Sequence, residues 1–185
     1  SDHRTPTQTF LRRMDGQKVR TLDRNPARIR DEFALGHFEM VKVPTRDGLV
    51  MNGSLLYPVD FDPKQKYPVW FMTYGGPHTP TVSDAWQFRL FDHVLSSLGI
   101  IVFRCDPRSA SGQGAVSTWT AYKKLGVQEH RDVEDAIDWL IAHHPFVDAT
   151  RIGMSGASYG GYLTLFCMTH GKKFAAGISA FPVTD

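Results

Sequence analysis

One short segment, residues 151–162, constrains the fold of this sequence more than any other. It reads Arg-Ile-Gly-Met-Ser-Gly-Ala-Ser-Tyr-Gly-Gly-Tyr and contains a Gly-x-Ser-x-Gly motif formed by Gly156, Ser158 and Gly160. The residues before the motif predict a strand, and those after it predict a helix. In such a strand, turn and helix the serine lies on a strained turn, and the two glycines let the strand and the helix approach each other closely. The segment therefore predicts an exposed serine hydroxyl at the carboxyl edge of a sheet.

Strands and helices alternate in the part of the chain that contains this motif. From residue 69 onward, apolar runs rich in β-branched and aromatic residues predict strands, and apolar residues spaced three or four positions apart predict helices. The predicted strands are 69–74, 100–103, 151–154 and 174–181, and the predicted helices are 84–98, 127–143 and 158–170. This alternation indicates a parallel sheet with helices on both faces, which is a doubly wound α/β architecture.

The first 36 residues are predicted to form a separate unit. Residues 7–22 contain Asp15-Gly16 between two runs that favour strands, a pattern typical of a tight β-hairpin. A lone hairpin buries too little surface to be stable, so this one is expected to belong to a larger sheet. Residues 23–36 are polar and predict a connector or a short surface helix, after which strands are predicted at 38–44 and 49–57. We therefore expect a domain boundary after residue 36.

The composition excludes several classes of function. The 185 residues carry 21 Lys and Arg against 19 Asp and Glu, a balance that gives no support for binding nucleic acid or an anionic membrane. The longest strongly apolar run, residues 98–103, is too short to span a bilayer. Cys105 and Cys167 cannot form a disulfide framework, and no ligand spacing for zinc is present. We expect no membrane span, no metal and no cofactor.

A second motif, Tyr74-Gly75-Gly76-Pro77, directly follows the first strand of the alternating region, and two interpretations of it stay open. In α/β-hydrolases the loop after this strand supplies one donor to the oxyanion, and a tyrosine hydroxyl can donate in the same way from a side chain. A Gly-Pro turn beside a packed tyrosine explains the same residues without any chemistry.

Three motifs in this order resemble the prolyl oligopeptidase family of serine peptidases. They are Tyr74-Gly-Gly-Pro77, Asp106-Pro-Arg-Ser-Ala-Ser-Gly112 and Gly156-Ala-Ser-Tyr-Gly-Gly-Tyr162. The branch of dipeptidyl peptidase IV type is the most similar, and its members join a β-propeller to an α/β-hydrolase domain. The resemblance therefore implies that residues 1–36 are the end of a propeller and a connector. It implies that residues 37–185 are the first part of the catalytic domain.

The same resemblance implies roles for three residues. Ser158 is expected to be the nucleophile and Tyr74 the side-chain donor to the oxyanion. Tyr159 is expected to supply the backbone N–H donor and part of the wall facing the substrate's P1 residue.

A serine nucleophile also needs a histidine base and a carboxylate that orients it. In α/β-hydrolases both follow the serine along the chain. The only histidine after Ser158 is His170, twelve residues further on, which lies about 18 Å along the predicted helix and cannot be the base. We therefore expect the chain to be truncated, with the missing triad residues beyond residue 185, and these residues alone to be inactive.

The function implied by the resemblance is a serine peptidase that cleaves short peptides through an acyl-enzyme on Ser158. It would be a dipeptidyl peptidase releasing X-Pro or X-Ala, or an oligopeptidase. An esterase on the same fold and a non-catalytic homologue used for interaction are the alternatives. A peptide substrate is the expected partner, and the sequence leaves open whether the protein forms a homo-oligomer. The resemblance favours the periplasm or secretion, with a cytoplasmic location as the alternative.

Overall fold

The structure is a computed structural model that describes residues 2–25, 28, 32–77, 79–110 and 112–184. Its strands are β1 (Thr9–Arg12), β2 (Lys18–Asp23), β3 (Phe38–Pro44), β4 (Val50–Leu56), β5 (Tyr67–Met72), β6 (Ile101–Cys105), β7 (Val147–Ala157) and β8 (Ala176–Ala180). The helices of the described residues are α1 (Leu90–Ser97), α2 (Ala115–Trp119), α3 (Val127–His143) and α4 (Tyr159–His170), and Arg108–Ala110 form a 3₁₀ turn.

The predicted N-terminal hairpin is confirmed. Strands β1 and β2 pair in antiparallel fashion on either side of a turn at Asp15-Gly16, where Gly16 has a φ of +88°. Nearly all side chains of both strands are exposed. Residues 26, 27 and 29–31 of the predicted connector lie outside the described residues. The domain boundary after residue 36, and the assignment of the hairpin to a propeller, stay predictions.

The second sheet has six strands in the order β3-β4-β6-β5-β7-β8. Strands β6, β5, β7 and β8 run parallel, whereas β3 pairs antiparallel with β4 and β4 with β6. The parallel part agrees with the predicted alternation, because parallel neighbours need a crossover, and α1, α3 and α4 supply one each. The chain steps from β5 to β6 on one side and then returns past β5 to β7. The order of the strands therefore changes direction at the carboxyl end of β5, the usual place for a binding site in such sheets.

The apolar core lies between this sheet and α3. The side chains of Phe71 on β5, Phe103 on β6 and Met154 on β7 are fully buried. Helix α3 covers them with the stripe predicted from its spacing, in which Ile137 and Leu140 are fully buried as well. Burial of continuous apolar strands explains why the order of elements was predictable.

Two predicted elements differ from the structure, and one helix of the structure was not predicted. The helix predicted at 84–98 is confined to Leu90–Ser97, because residues before it are held in a loop. Arg89, the residue before the helix, has an extended backbone with a φ of −93° and a ψ of 94°, and its guanidinium donates to the Thr81 carbonyl oxygen at 2.9 Å. Further upstream, the Asp106 carboxylate accepts the backbone N–H groups of Thr81 and Val82, each at 2.8 Å. Strand β7 extends well beyond the predicted 151–154 at both ends, and α2 was not predicted.

A buried ion-pair network links three parts of the fold. The Arg108 guanidinium, just after β6, donates to both carboxylate oxygens of Asp132 on α3, with Nε 2.9 Å from Oδ2 and Nη2 2.8 Å from Oδ1. It also donates to Asp47 in the turn between β3 and β4, with Nη1 2.7 Å from Oδ2. The Asp132 side chain is fully buried. These hydrogen bonds hold the pKa of Asp47 well below its usual range, so their contribution is present at neutral pH and is lost in strong acid.

Removing Arg108 should therefore destabilise the protein strongly. In Arg108→Met, Asp132 remains buried without its cation, and we expect the free energy of unfolding to fall by about 3–5 kcal/mol. Arg151→Met is the matched control, because Arg151 pairs with Asp148 at the surface with half of its side chain exposed. That pair should contribute no more than about 1 kcal/mol to the free energy of unfolding. Urea unfolding of both variants measures the difference, and equal losses would contradict the structural role of Arg108.

Candidate active site

The serine of the Gly-x-Ser-x-Gly motif lies on a strained turn between β7 and α4. Ser158 has a φ of 57° and a ψ of −119°, a conformation that residues with a side chain rarely adopt. Such a residue costs about 1–3 kcal/mol and persists only where its surroundings hold it. Here the Ser158 N–H donates to the Ala180 carbonyl oxygen at 2.9 Å, and its own carbonyl oxygen accepts the Tyr162 N–H at 3.0 Å. Ser158 is exposed at the carboxyl edge of the sheet, as the motif predicted.

Both glycines of the motif are required by close backbone contacts. A Cβ at Gly156 would lie less than 3.0 Å from the Gly160 carbonyl oxygen, and a Cβ at Gly160 would lie 2.6 Å from the Thr73 carbonyl oxygen. The first contact joins the strand to the helix, which confirms the predicted reason for these glycines. The second joins the helix to the segment that follows β5. The strand-turn-helix segment of residues 156–160, which we call the elbow, therefore lies directly against the loop that carries Tyr74.

The Tyr74 loop and the elbow lie at the same edge of the sheet because β5 and β7 are parallel neighbours. Met72 pairs with Ser155, so Tyr74 and Ser158 follow two adjacent strands at similar distances. The loop has a defined path: Gly75 has a φ of +71°, and its carbonyl oxygen accepts the Ser109 hydroxyl at 2.9 Å. The structure thus brings the two sequence motifs together. Donation by the Tyr74 hydroxyl to an oxyanion stays a prediction.

Tyr159, the residue after Ser158, begins α4. The first N–H groups of a helix have no acceptor within the helix and carry its positive dipole end, so the Tyr159 N–H can serve a developing oxyanion. Its side chain is 9% exposed, and its ring centroid lies 6.1 Å from that of Tyr74. The Tyr159 hydroxyl donates to Glu129 Oε1 at 2.6 Å. Its role in the wall facing the P1 residue stays a prediction.

Sequence reasoning missed Glu129. It lies in the first turn of α3, 30 positions before Tyr159, and its side chain is fully buried. Burial raises the pKa of Glu129 above its ordinary value and raises that of Tyr159 as well. The available signal was a carboxylate three residues after Gly126, in the first turn of a predicted helix, which is a common surface pattern. Only the packing of α3 against α4 distinguishes it from a solvated acid.

The described histidines contact other parts of the chain than the elbow. His170 is exposed at the far end of α4, where its ring stacks on Phe166 with centroids 4.0 Å apart, which agrees with its exclusion as a base. His130 also contacts Phe166, and the other described histidines have ring contacts outside the elbow; they are His3, His37, His93, His143 and His144. The ring contacts of these seven histidines do not include Ser158.

Within the described ranges, no group of three or more His, Cys, Asp or Glu side chains could hold a metal ion. None of the described helices is both long enough and apolar enough to span a membrane. Both cysteines are buried thiols, and burial raises the pKa of Cys167 to about 12.

Comparison with known proteins decides the family. The profile described as the prolyl oligopeptidase family matches residues 86–185. The chain belongs to the prolyl oligopeptidase family. Among its relatives is a probable dipeptidyl-aminopeptidase B of Arthroderma otae, 34% identical over 168 residues that cover 88% of this chain and 18% of that protein. A protein of the same description from Ajellomyces dermatitidis is 38% identical over 144 residues, covering 76% of this chain and 16% of that protein.

Comparison with solved structures supports the same assignment. Porphyromonas gingivalis dipeptidyl peptidase 4 is 37% identical with a TM-score of 0.92, covering 100% of this chain and 27% of that one. Pyrococcus horikoshii acylaminoacyl peptidase is 25% identical with a TM-score of 0.75, covering 89% of this chain and 26% of that one. The predicted family, its dipeptidyl peptidase IV-like branch and the α/β-hydrolase fold are confirmed. This chain spans less than a fifth of the length of these curated relatives.

The glycine contacts at the elbow generate a specific prediction. In Gly156→Ala the new Cβ meets the Gly160 backbone, which cannot move without displacing Ser158. In the protein expressed at full gene length, we expect the rate at which a fluorophosphonate probe labels Ser158 to fall by roughly a hundredfold or more, as for other misplaced catalytic groups.

Gly177→Ala on the adjacent strand β8 is the matched control. Its Cβ would approach chiefly the flexible Met168 side chain, at 2.9 Å, which can move aside. Labelling of this variant should stay close to that of the wild type. Equal labelling rates in Gly156→Ala and Gly177→Ala would show that the close contact does not shape the elbow.

Proposed function

We propose that the protein carrying this chain is a serine peptidase that cleaves short peptides through an acyl-enzyme on Ser158. The observation that carries the proposal is the strained, exposed Ser158 at the first turn of α4, beside the Tyr74 loop on the neighbouring strand. A reactive serine needs this exposure and a nearby set of N–H and O–H donors. Membership of the prolyl oligopeptidase family supports a peptidase over the other chemistries that use this fold.

The proposed reaction has two halves. Ser158 Oγ attacks the carbonyl carbon of the scissile peptide bond while its proton passes to a general base. The carbonyl oxygen becomes an oxyanion that accepts hydrogen bonds from the Tyr159 N–H and the Tyr74 hydroxyl. Collapse of this intermediate breaks the C–N bond, and the amine leaves with the proton from the base. Water then attacks the acyl-enzyme in the same way, which releases the peptide acid and restores Ser158.

The proposed chemistry requires a histidine base and an orienting carboxylate, and the described hydrogen bonds of Ser158 include neither. In α/β-hydrolases these groups follow the nucleophile in the chain, and His170 is too far along α4 to act. We therefore propose that both groups come from sequence that follows residue 185. For the same reason we propose that the 185 residues alone do not form a complete catalytic unit.

We further propose that the enzyme releases dipeptides, of the X-Pro or X-Ala type, from peptides with a free amino terminus. Support comes from the relatives named dipeptidyl-aminopeptidase B and from the solved dipeptidyl peptidase 4. The latter is more similar to this chain in both identity and TM-score than the acylaminoacyl peptidase is. An oligopeptidase and an esterase are alternative outcomes of the experiment below.

The function is tested in the protein expressed at full gene length. Wild-type protein and Ser158→Ala are compared for labelling by a fluorophosphonate and for hydrolysis of a Gly-Pro anilide. We expect the substitution to abolish both, because among the serines that the structure describes only Ser158 has a positive φ. Covalent labelling or turnover that persists in Ser158→Ala would overturn the assignment of the nucleophile.

A panel of substrates on the wild-type protein separates the alternatives. Equal turnover of the anilide with and without a blocked amino terminus would favour an oligopeptidase. Turnover of simple esters without amide cleavage would favour an esterase. Absence of labelling and of turnover in a folded full-length protein would favour a non-catalytic homologue.

The Tyr74 hydroxyl should affect kcat only if it donates a hydrogen bond to the oxyanion. Tyr74→Phe removes one donor and should lower kcat by roughly 10²–10³ with little change in KM, because the oxyanion forms after substrate binds. Steady-state kinetics with the same anilide measure both constants. Tyr67→Phe, at the opposite end of β5, is the control for loss of a structural phenol. An unchanged kcat in Tyr74→Phe would leave Tyr74 with a packing role.

A further inference from the structure

Glu129 and Tyr159 form a buried contact that the proposed reaction does not use. Tyr159 Oη donates to Glu129 Oε1 at 2.6 Å, and both side chains are buried. A hydrogen bond from a hydroxyl to a carboxylate at this distance is among the strong ones, and removal from water strengthens it further. The second carboxylate oxygen, Oε2, is buried and has no hydrogen-bond partner among the described residues. Tyr159 is therefore the main side-chain group that satisfies this carboxylate.

The start of α3 packs tightly enough against α4 to place Glu129 there. Gly126, which precedes α3, has a φ of +82°, and a Cβ at this position would lie 2.7 Å from the Phe166 ring. The neighbouring Tyr162 hydroxyl donates to the Leu125 carbonyl oxygen at 3.1 Å. The first turn of α3 is thus held against one face of α4. From that position the Glu129 side chain reaches the first residue of α4.

The contact acts on the residue that carries the proposed backbone donor. Tyr159 directly follows Ser158, whose backbone is strained, so a shift of the Tyr159 side chain changes the direction of its own N–H. The Tyr159 ring is also close to the Tyr74 loop. A Cβ added at Gly76 would lie 3.2 Å from Tyr159 Cγ and still closer to the Tyr74 ring, so the three residues pack together without spare room. Gly76 therefore lies beside both rings, whose centroids are 6.1 Å apart. Both proposed donors to the oxyanion therefore depend on where the Tyr159 ring is held.

We propose that Glu129 is a positioning residue for the oxyanion site, and that it acts through the Tyr159 hydroxyl. This proposal rests on the proposed function. Glu129 does not touch the substrate; it holds the Tyr159 ring, and with it the Tyr159 N–H and the Tyr74 phenol, in the arrangement that receives the oxyanion. The burial that raises the pKa of Glu129 also excludes water, which would otherwise compete for the phenol.

A positioning role predicts a specific pattern across four variants of the full-length protein. Tyr159→Phe and Glu129→Leu each remove one partner and leave the other buried without it, so each should lower the thermal midpoint. The double variant Glu129→Leu/Tyr159→Phe removes both polar groups, so its thermal midpoint should be higher than that of either single variant and close to that of the wild type. Its kcat should nevertheless stay roughly ten- to a hundredfold below that of the wild type with KM little changed, because the ring is no longer held. Glu129→Gln keeps both the size and the acceptor, and should retain a kcat close to that of the wild type.

Tyr57→Phe is the matched control, because it removes another buried phenol, on the residue that follows β4, that donates to a glutamate, Glu39 Oε2, at 2.7 Å. Its kcat should not change. Recovery of kcat together with the thermal midpoint in the double variant would overturn the proposal, since the contact would then be only structural. So would a loss of kcat in Tyr57→Phe equal to that in Tyr159→Phe, or a loss in Glu129→Gln equal to that in Glu129→Leu.

Ser158→Ala in the same assay keeps the two proposals distinguishable. If wild-type turnover depends on Ser158 and the double variant keeps its kcat, only the positioning role of Glu129 fails. If wild-type turnover does not depend on Ser158, the proposed function fails and the role of Glu129 fails with it.

Discussion

The close approach of three backbone segments is the constraint on which the rest of the site depends. The end of β7, the start of α4 and the residues after β5 touch through contacts in which Gly156 and Gly160 leave no room for a side chain. Because these contacts and two backbone hydrogen bonds hold Ser158, it keeps a conformation that an isolated turn would not adopt. The exposure of its hydroxyl follows from the same geometry. The reactive position is therefore a property of the packing between strands and helix.

Buried carboxylates place the loops around this centre. Asp106 holds the segment before α1, Asp132 holds Arg108 and with it the loop after β6, and Glu129 holds Tyr159. Each joins segments that are far apart in sequence. Apolar burial fixes the sheet and helices but has no direction, whereas a hydrogen bond needs its partners at a defined distance and angle. The positions of the loops that surround Ser158 are therefore set mainly by polar groups.

Much of the architecture was predictable because local patterns and the fold agree. The amphipathic stripe of α3, the apolar strands β5 and β6 and the Asp15-Gly16 turn each depend on residues close in sequence, and each was predicted. The helix predicted at 84–98 was too long because Arg89 takes an extended conformation, in which its guanidinium donates to the Thr81 carbonyl oxygen. The unpredicted helix α2 has five residues, too few to show a periodic pattern.

For the candidate site, the sequence by itself determined which residue occupies the elbow and which family the chain belongs to. The Gly-x-Ser-x-Gly motif is contained in five consecutive residues, so the strain at Ser158 and the need for two glycines could be predicted from those residues alone. The partners of the elbow could not be predicted in this way. That Tyr74 faces Tyr159, and that Tyr159 is held by Glu129, depends on the pairing of β5 with β7 and on the packing of α3 against α4. Only the tertiary structure decided these contacts, because a hydrogen bond between residues 30 positions apart leaves no periodic trace in the sequence.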